Sequence, residues 1–83
     1  MKVLYFAWVR NAVGTGQEDL QPPAEVGTVQ QLLDWLADRS AGHGEALADR
    51  ARIRVAVNQA FAAPEDPVAA GDEVAIFPPV TGG

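Results

Sequence analysis

The segment Thr28-Val29-Gln30-Gln31-Leu32-Leu33-Asp34-Trp35-Leu36 decides the fold, because it is the clearest helical pattern in the chain. Its apolar residues recur at three- and four-residue spacing, which is typical of a helix with one buried side. Thr28 followed by Gln31 is a capping box, the pattern that marks where a helix begins. We predict a helix from Thr28 to about Ser40, covering one face of a sheet.

Segments typical of strands lie on both sides of this helix. Lys2–Trp8 and Glu73–Phe77 are rich in β-branched and aromatic residues, and Arg52–Val57 alternates polar and apolar positions. Shorter strands are expected at Gln17–Gln21 and from Phe61, the latter after a turn at 58–59. The order β-β-α-β-β-β with one main helix predicts an α+β protein, a β-grasp roll with a mixed sheet of four or five strands.

The remaining segments contain weaker signals. A helical turn is expected at 9–13, and one or two further turns within 45–51. The glycines in Gly42-His43-Gly44 indicate a break in which His43 is an isolated loop residue. No linker or repeat interrupts the chain, so residues 1–77 are predicted to form one domain and residues 78–83 a flexible tail.

Composition excludes several classes of protein. The chain has 83 residues, a formal net charge of −5, one histidine and no cysteine. Disulfide scaffolds, zinc knuckles, iron–sulfur clusters and thiol nucleophiles are thereby excluded, and no metal site is expected. The acidic balance argues against nucleic-acid binding, and no apolar run is long enough to span a membrane. We expect a cytoplasmic domain that binds a larger partner.

Other charged or glycine-containing patterns have ordinary structural interpretations. Gly14-Thr15-Gly16 lacks the third glycine and the lysine of phosphate-binding loops, so it is interpreted as a turn. The carboxylate pairs Glu65-Asp66 and Asp72-Glu73 flank turns, where solvent prevents the pKa shifts that catalytic pairs need. Arg52 and Arg54 are predicted to project from one strand into solvent.

The outer strands are apolar on both of their faces. On the first strand Leu4, Phe6 and Trp8 would share the face opposite to Val3 and Tyr5. One helix buries only one face of a sheet, so the second set must be exposed or covered by a partner. We predict that the three phenylalanines, Phe6, Phe61 and Phe77, lie on this second face. The alternative is that loops fold over this face and that these residues belong to the core.

The sequence ends in Phe77-Pro78-Pro79-Val80-Thr81-Gly82-Gly83. Two prolines cannot continue a strand ladder, so the tail should leave the sheet extended. A terminal glycine pair can thread a narrow channel and present its carboxylate to a buried site, where adenylation would make it reactive. From the residues alone, a frayed and inert tail stays an open alternative.

The run Gly71-Asp72-Glu73-Val74-Ala75-Ile76-Phe77-Pro78-Pro79-Val80-Thr81-Gly82-Gly83 closely resembles the end of the small subunits of molybdopterin synthase, a family of ubiquitin-like sulfur carriers. Residues 2–7 and 56–59 are also similar to that family. The resemblance spans essentially the whole chain, and the tail is its most specific part.

The resemblance implies a sulfur-transfer cycle centred on Gly83. An adenylating enzyme related to ubiquitin-activating enzymes would consume ATP to activate the Gly83 carboxylate, and a sulfur donor would convert it to a thiocarboxylate. Gly82 would allow the loaded tail to enter the large subunit and give its sulfur to cyclic pyranopterin monophosphate, in molybdenum cofactor biosynthesis. The chain would be a non-catalytic subunit without a permanent cofactor, in a heterotetramer of two small and two large subunits.

The resemblance also implies which residues meet the partners. Hydrophobic positions that contact the large subunit and the activating enzyme in this family fall on Phe6, Phe61 and Phe77. The tail residues expected to bind partners are Pro78, Pro79, Val80 and Thr81. Three alternatives remain: the sulfur carrier of thiamine synthesis, a protein modifier that joins Gly83 to lysines, and an adaptor with an inert tail.

Overall fold

The computed structural model describes residues 1–79, so the predicted tail residues Val80, Thr81, Gly82 and Gly83 lie outside the described part. This described part has five strands and three α-helices, with a 3₁₀ turn at Arg50–Arg52. In order they are β1 (Lys2–Tyr5), α1 (Ala7–Val13), β2 (Gln17–Asp19), α2 (Val29–Ala37), α3 (Ala41–Leu47), β3 (Arg54–Val57), β4 (Ala60–Ala62) and β5 (Glu73–Phe77).

The five strands form one mixed sheet in the order β2-β1-β5-β3-β4. β5 lies at its centre, parallel to β1 on one side and antiparallel to β3 on the other. Two hairpins complete it, β1 with β2 and β3 with β4. The predicted α+β class, the mixed sheet and the bounds of β5 are therefore confirmed.

The core lies between one face of this sheet and the helices. Val3, Val74 and Ile76 of the sheet are fully buried together with Leu32 and Leu36 of α2. α2 begins as predicted, because Gln31 N donates to Thr28 Oγ1 over 3.2 Å. It ends at Ala37 rather than Ser40, because Ser40 caps the next helix.

The first strand is shorter than predicted. β1 ends at Tyr5, and Ala7, with a positive φ of 52°, turns the chain into α1. The helix continues to Val13 and ends at Gly14 in the left-handed region, where glycine is favoured. The prediction that Trp8 lies on a strand was wrong: Trp8 lies on α1, because the turn brings Trp8 against the core and buries Val9 within it.

The segment predicted to be a glycine break is the helix α3. Gly42 and Gly44 lie inside it, and His43 is buried instead of being an isolated loop residue. The helix forms because Ser40 caps it and because Gly42 allows close contact with α1, where an added Cβ would collide with Ala12 O. More than one helix therefore covers the sheet.

The hairpin turn at Asn58-Gln59 is confirmed. Both residues have positive φ, 51° and 70°, as two-residue turns between antiparallel strands require. The Asn58 side chain secures the turn, because its Oδ1 accepts from Glu73 N and its Nδ2 donates to Asp72 Oδ1. Within residues 1–79, no helix is long and apolar enough to cross a membrane.

Candidate functional site

The sheet has a face turned away from the helices, which we call the outer face. Because strand side chains alternate, the residues between the buried positions of β1, β3 and β5 lie on it. The registers place Leu4, Ala75, Ala56 and Phe61 in one row across four strands. Since the helices pack on the opposite side, this row lies on the side that the described part of the chain does not cover.

All three phenylalanines lie on the outer face, as predicted. Phe61 is 82% exposed and Phe6 is 48% exposed, whereas Phe77 is half-buried. The rings of Phe61 and Phe77 are 6.0 Å apart between centroids, within the range of aromatic pairs. Phe6 follows β1 in extended conformation, and its N–H donates to Ile76 O, which sets it beside Phe77. Their predicted role in binding partners stays a prediction.

The tail leaves from the centre of this sheet. Phe77 is the last residue of β5 and pairs with Arg54, the first residue of β3. Pro78 and Pro79 follow, and without backbone N–H groups they cannot extend the ladder. Both prolines are half-buried, and Pro79 lines a groove beside Phe77. The chain beyond residue 79 therefore begins at the apolar end of the outer face.

The groove at the tail exit has a volume of about 370 Å³. Its lining includes Phe61, Phe77 and Pro79, together with one charged residue, Arg54. The sequence predicts only a solvent-facing role for Arg54, because alternation shows that a residue points outward but not what it lies beside. Arg52 is exposed, as predicted, but it lies in the 3₁₀ turn rather than on a strand, with its guanidinium 4.8 Å from the ring centre of Trp8.

The opposite end of the outer face is polar. Lys2 pairs with Asp19 on one side and with Glu73 on the other, so one cation lies between two carboxylates. Asp72 precedes this row, and hydrogen bonds from Asn58 and from the N–H of Ala69 lower the pKa of its carboxyl. The outer face is therefore acidic at the end that contains Asp19 and Glu73. At the other end, beside Phe77, it is apolar and carries the positive charge of Arg54.

A partly buried polar cluster lies on the helical side of the sheet. His43 Nε2 donates to Glu18 Oε1 over 2.7 Å, and the hydroxyl of Tyr5 donates to the same oxygen over 2.8 Å. Ser40 Oγ lies 2.7 Å from the other ring nitrogen of His43 and accepts from its backbone N–H. The cluster ties α3 to β1 and β2.

This cluster perturbs its acidic members. Burial raises the pKa of Glu18, but hydrogen bonds from His43 and Tyr5, together with the electrostatic effects of His43 and Arg39, outweigh it, so the pKa of Glu18 is lowered. Burial, together with the bond to Glu18, raises the pKa of Tyr5. Serine, histidine and glutamate here resemble a catalytic arrangement, but the imidazole is bonded on both sides and only 6% exposed. We therefore interpret the cluster as structural.

A cavity of about 530 Å³ lies at the end of the molecule away from the tail, lined by residues such as Leu20, Pro22 and Val68. None of its lining side chains is titratable, and the N-terminal ammonium of Met1, which also lines it, donates to Leu20 O. Among residues 1–79, no three His, Asp or Glu side chains converge as metal ligands. The outer face and the tail exit are therefore the strongest candidate site.

Comparison with known proteins assigns the chain to a family. A sequence model of the ThiS family matches residues 3–83. The chain belongs to the ThiS family. It is 43% identical to the molybdopterin synthase sulfur carrier subunit of Escherichia coli K12, over all of this chain and 99% of that protein. It is 35% identical to the Haemophilus influenzae protein of the same name, with the same coverage.

Solved structures confirm the fold of this ThiS-family chain. One similar structure is that of a Pyrococcus furiosus protein described as molybdopterin converting factor, subunit 1. Its TM-score is 0.80, with 29% identity over 95% of both chains. The small archaeal modifier protein 1 of Haloferax volcanii is similar with a TM-score of 0.74 and 31% identity, over 96% of this chain and 97% of that one. The predicted ubiquitin-like β-grasp fold and the predicted family are confirmed.

Proposed function

We propose that the chain is the sulfur carrier subunit of molybdopterin synthase and that Gly83 carries the sulfur. The observation that carries this proposal is the position of β5. The central strand ends at Phe77 on an apolar face, directly before the residues Pro-Pro-Val-Thr-Gly-Gly. Relatives named as this subunit match over the full length of the chain, and their name supports the same role here.

The proposed chemistry takes place on the main-chain carboxylate. A carboxylate is a poor electrophile, so an oxygen of Gly83 first attacks the α-phosphorus of ATP and releases pyrophosphate. A donor that delivers sulfur as hydrosulfide then supplies the nucleophile, which attacks the carbonyl carbon of the acyl-adenylate, displaces AMP and leaves a thiocarboxylate. This route requires no cysteine in the carrier, which agrees with the composition. ATP is consumed by the activating enzyme, and the carrier holds no permanent cofactor.

The outer face is the proposed docking surface for both partners. The large synthase subunit and a ubiquitin-activating-like enzyme would each cover Phe6, Phe61 and Phe77, while the tail from Pro78 to Thr81 enters their active sites. Exposed aromatic residues of this kind are the usual anchors of protein interfaces. We infer a heterotetramer of two carriers and two large subunits, working in the cytoplasm where ATP is available.

Intact-mass measurement of the carrier purified from its native host tests the proposal. We expect a fraction whose mass has increased by the replacement of one oxygen by sulfur, located to Gly83 by fragmentation. Deletion of Gly82-Gly83 should leave the thermal unfolding midpoint unchanged and abolish molybdopterin formation by the reconstituted synthase. An active deletion variant would refute the proposal.

A protein modifier is the second candidate, because the chain is similar over its whole length to a small archaeal modifier protein. In that case Gly83 would form amide bonds with lysine side chains of other proteins. A covalent ladder that carries this chain, lost on deletion of Gly82-Gly83, would support modification. A sulfur-loaded free chain without a ladder would support the carrier alone. The thiamine-pathway carrier is less well supported, because the relatives at 43% and 35% identity are named for molybdopterin synthase.

A further inference from the structure

We propose that Arg54 binds a carboxylate of the large subunit and that this ion pair fixes the orientation in which the outer face docks. This proposal rests on the proposed function, since it concerns the same docking surface. The group that binds Arg54 is an Asp or Glu side chain of the large subunit, which lies against the groove at the tail exit.

The position of Arg54 is the first argument. It pairs with Phe77 at the last step of β5 and lines the groove together with Phe61 and Pro79. A partner that covers these aromatic rings must therefore also cover the guanidinium. A charge buried in an interface without a partner is costly, so the protein that covers Arg54 must supply an acceptor.

The bonding of Arg54 is the second argument. One terminal nitrogen of its guanidinium donates to the carbonyls of Ala51 and Ile53, at 3.1 and 2.8 Å, which orients the group. Within residues 1–79, no carboxylate lies within ion-pair distance of it, whereas Arg50 pairs with Asp34 at 2.9 Å and Arg39 lies 4.0 Å from Glu18. The guanidinium is thus held in place with N–H groups left to donate.

The charge pattern of the outer face is the third argument. At the opposite end of the strands, Asp19 and Glu73 flank Lys2, and the chain as a whole has a net charge of −5. Arg54 is therefore a cation at the tail end of a face whose other end is acidic. The large subunit would have the complementary pattern if a carboxylate lay near the opening that receives the tail. It would then be attracted when this carboxylate faces Arg54, and repelled when the same carboxylate faces the acidic end of the outer face.

Charge reversal with a matched control tests the ion pair. The full-length Arg54→Glu variant should bind the purified large subunit roughly tenfold or more weakly than the wild type, since like charges brought together in an interface are strongly unfavourable. Arg52→Glu makes the same change in charge two residues away, but Arg52 lies against Trp8 on the helical side. It should bind within about twofold of the wild type, and circular dichroism should show both variants folded.

Zero-length cross-linking identifies the acceptor. Lys2 is the only lysine, so a Lys2→Arg, Arg54→Lys double variant carries its one ε-amine at position 54. A carbodiimide joins an amine to a carboxylate in contact with it, with loss of water. We expect a peptide that links position 54 to an Asp or Glu of the large subunit, and no such link in the Lys2→Arg variant with Arg54 retained.

Three results would overturn the proposal. One is equal binding by the wild type and the Arg54→Glu variant. The second is equal weakening by Arg52→Glu, which would indicate an effect of net charge alone. The third is a cross-link from position 54 to Gly83 of the same chain, which would make the chain's own tail the occupant. Failure of the wild type to bind the large subunit would instead refute the proposed function, so the two failures are distinguishable.

Discussion

The ring of Phe61 on β4 lies 6.0 Å from the ring of Phe77 on β5, across the intervening strand β3. Ala56 and Arg54 of β3 stand opposite Phe61 and Phe77. The small side chain of Ala56 leaves room for the two rings to approach each other. The pair thus forms one apolar surface that is accessible beside the tail exit.

Phe61→Ser should weaken binding to the large subunit with little effect on folding stability. Phe61 is 82% exposed, so its replacement should change the free energy of unfolding by less than about 1 kcal/mol. Binding to the large subunit should weaken, because an exposed aromatic ring becomes buried in the complex. Urea denaturation and calorimetric titration measure the two effects. Leu36→Ala in the core is the contrasting variant and should cost about 2–5 kcal/mol of stability.

Phe77→Arg should leave the monomer folded and weaken binding to the large subunit by about 2 kcal/mol or more, the usual effect at an interface anchor. Phe77 is half-buried, and its side chain points away from the core residues Val74 and Ile76. Gln30→Arg, on the exposed side of α2, is the control and should bind normally. Unfolding of the Phe77→Arg variant would show that Phe77 is mainly a core residue.

Acid should destabilise the protein partly through Glu18. The pKa of Glu18 is lowered in the folded state from its ordinary value of 4.5. Its contribution to stability is therefore present above that value and is lost as pH falls through the lower folded pKa. Glu18→Gln should be less stable than the wild type near neutral pH, and the difference should shrink as the pH falls below 4.5 and through the lower pKa of the folded state. Urea denaturation at a series of pH values from neutral to acid measures it.

The control for this pH effect is Glu25→Gln, because Glu25 is exposed in the loop before α2. Its stability difference from the wild type should stay small at every pH. A Glu18→Gln difference that persists unchanged in acid would contradict the assignment of the effect to the ionised carboxylate.

Gly42→Ala should destabilise the protein by about 1–3 kcal/mol, the range seen when a side chain is forced into a packed site. The added methyl group would collide with the carbonyl oxygen of Ala12 and push α3 away from α1. Gly27→Ala is the matched control, since its Cβ would lie 3.7 Å from Gln31 Oε1, an ordinary contact. Equal stability of the two variants would show that α3 can shift without loss of packing.

Local patterns sufficed for the last strand and for the main helix. α2 and β5 were predicted because helical spacing and strand composition are recorded within a few residues, and the capping box at Thr28 acts locally. Placement of the three phenylalanines followed from alternation along strands, which needs no knowledge of the partner strand.

Features that depend on distant contacts were not predictable. A polar histidine between two glycines favours a loop locally, but Glu18, 25 residues away, provides an acceptor that permits burial of His43. The turn at Ala7 likewise begins α1, a helix that packs near Gly42 of the distant helix α3. The burial of His43 and the turn at Ala7 were missed for the same reason, because short-range sequence patterns do not show which segments pack together.

By itself, the sequence determined the family, the class of fold, the tail and the phenylalanines of the outer face, since these depend on residue types and their local spacing. Only the tertiary structure decided that α3 exists, that His43 is buried and that Arg54 lies beside Phe77 at the tail exit. The physical reason is the sheet order: β3 and β5 are separated in sequence by β4 and a loop, yet they are neighbours in the sheet. The pairing of β3 with β5 brings together the guanidinium of Arg54, the rings of Phe61 and Phe77, and the point where the tail leaves the sheet.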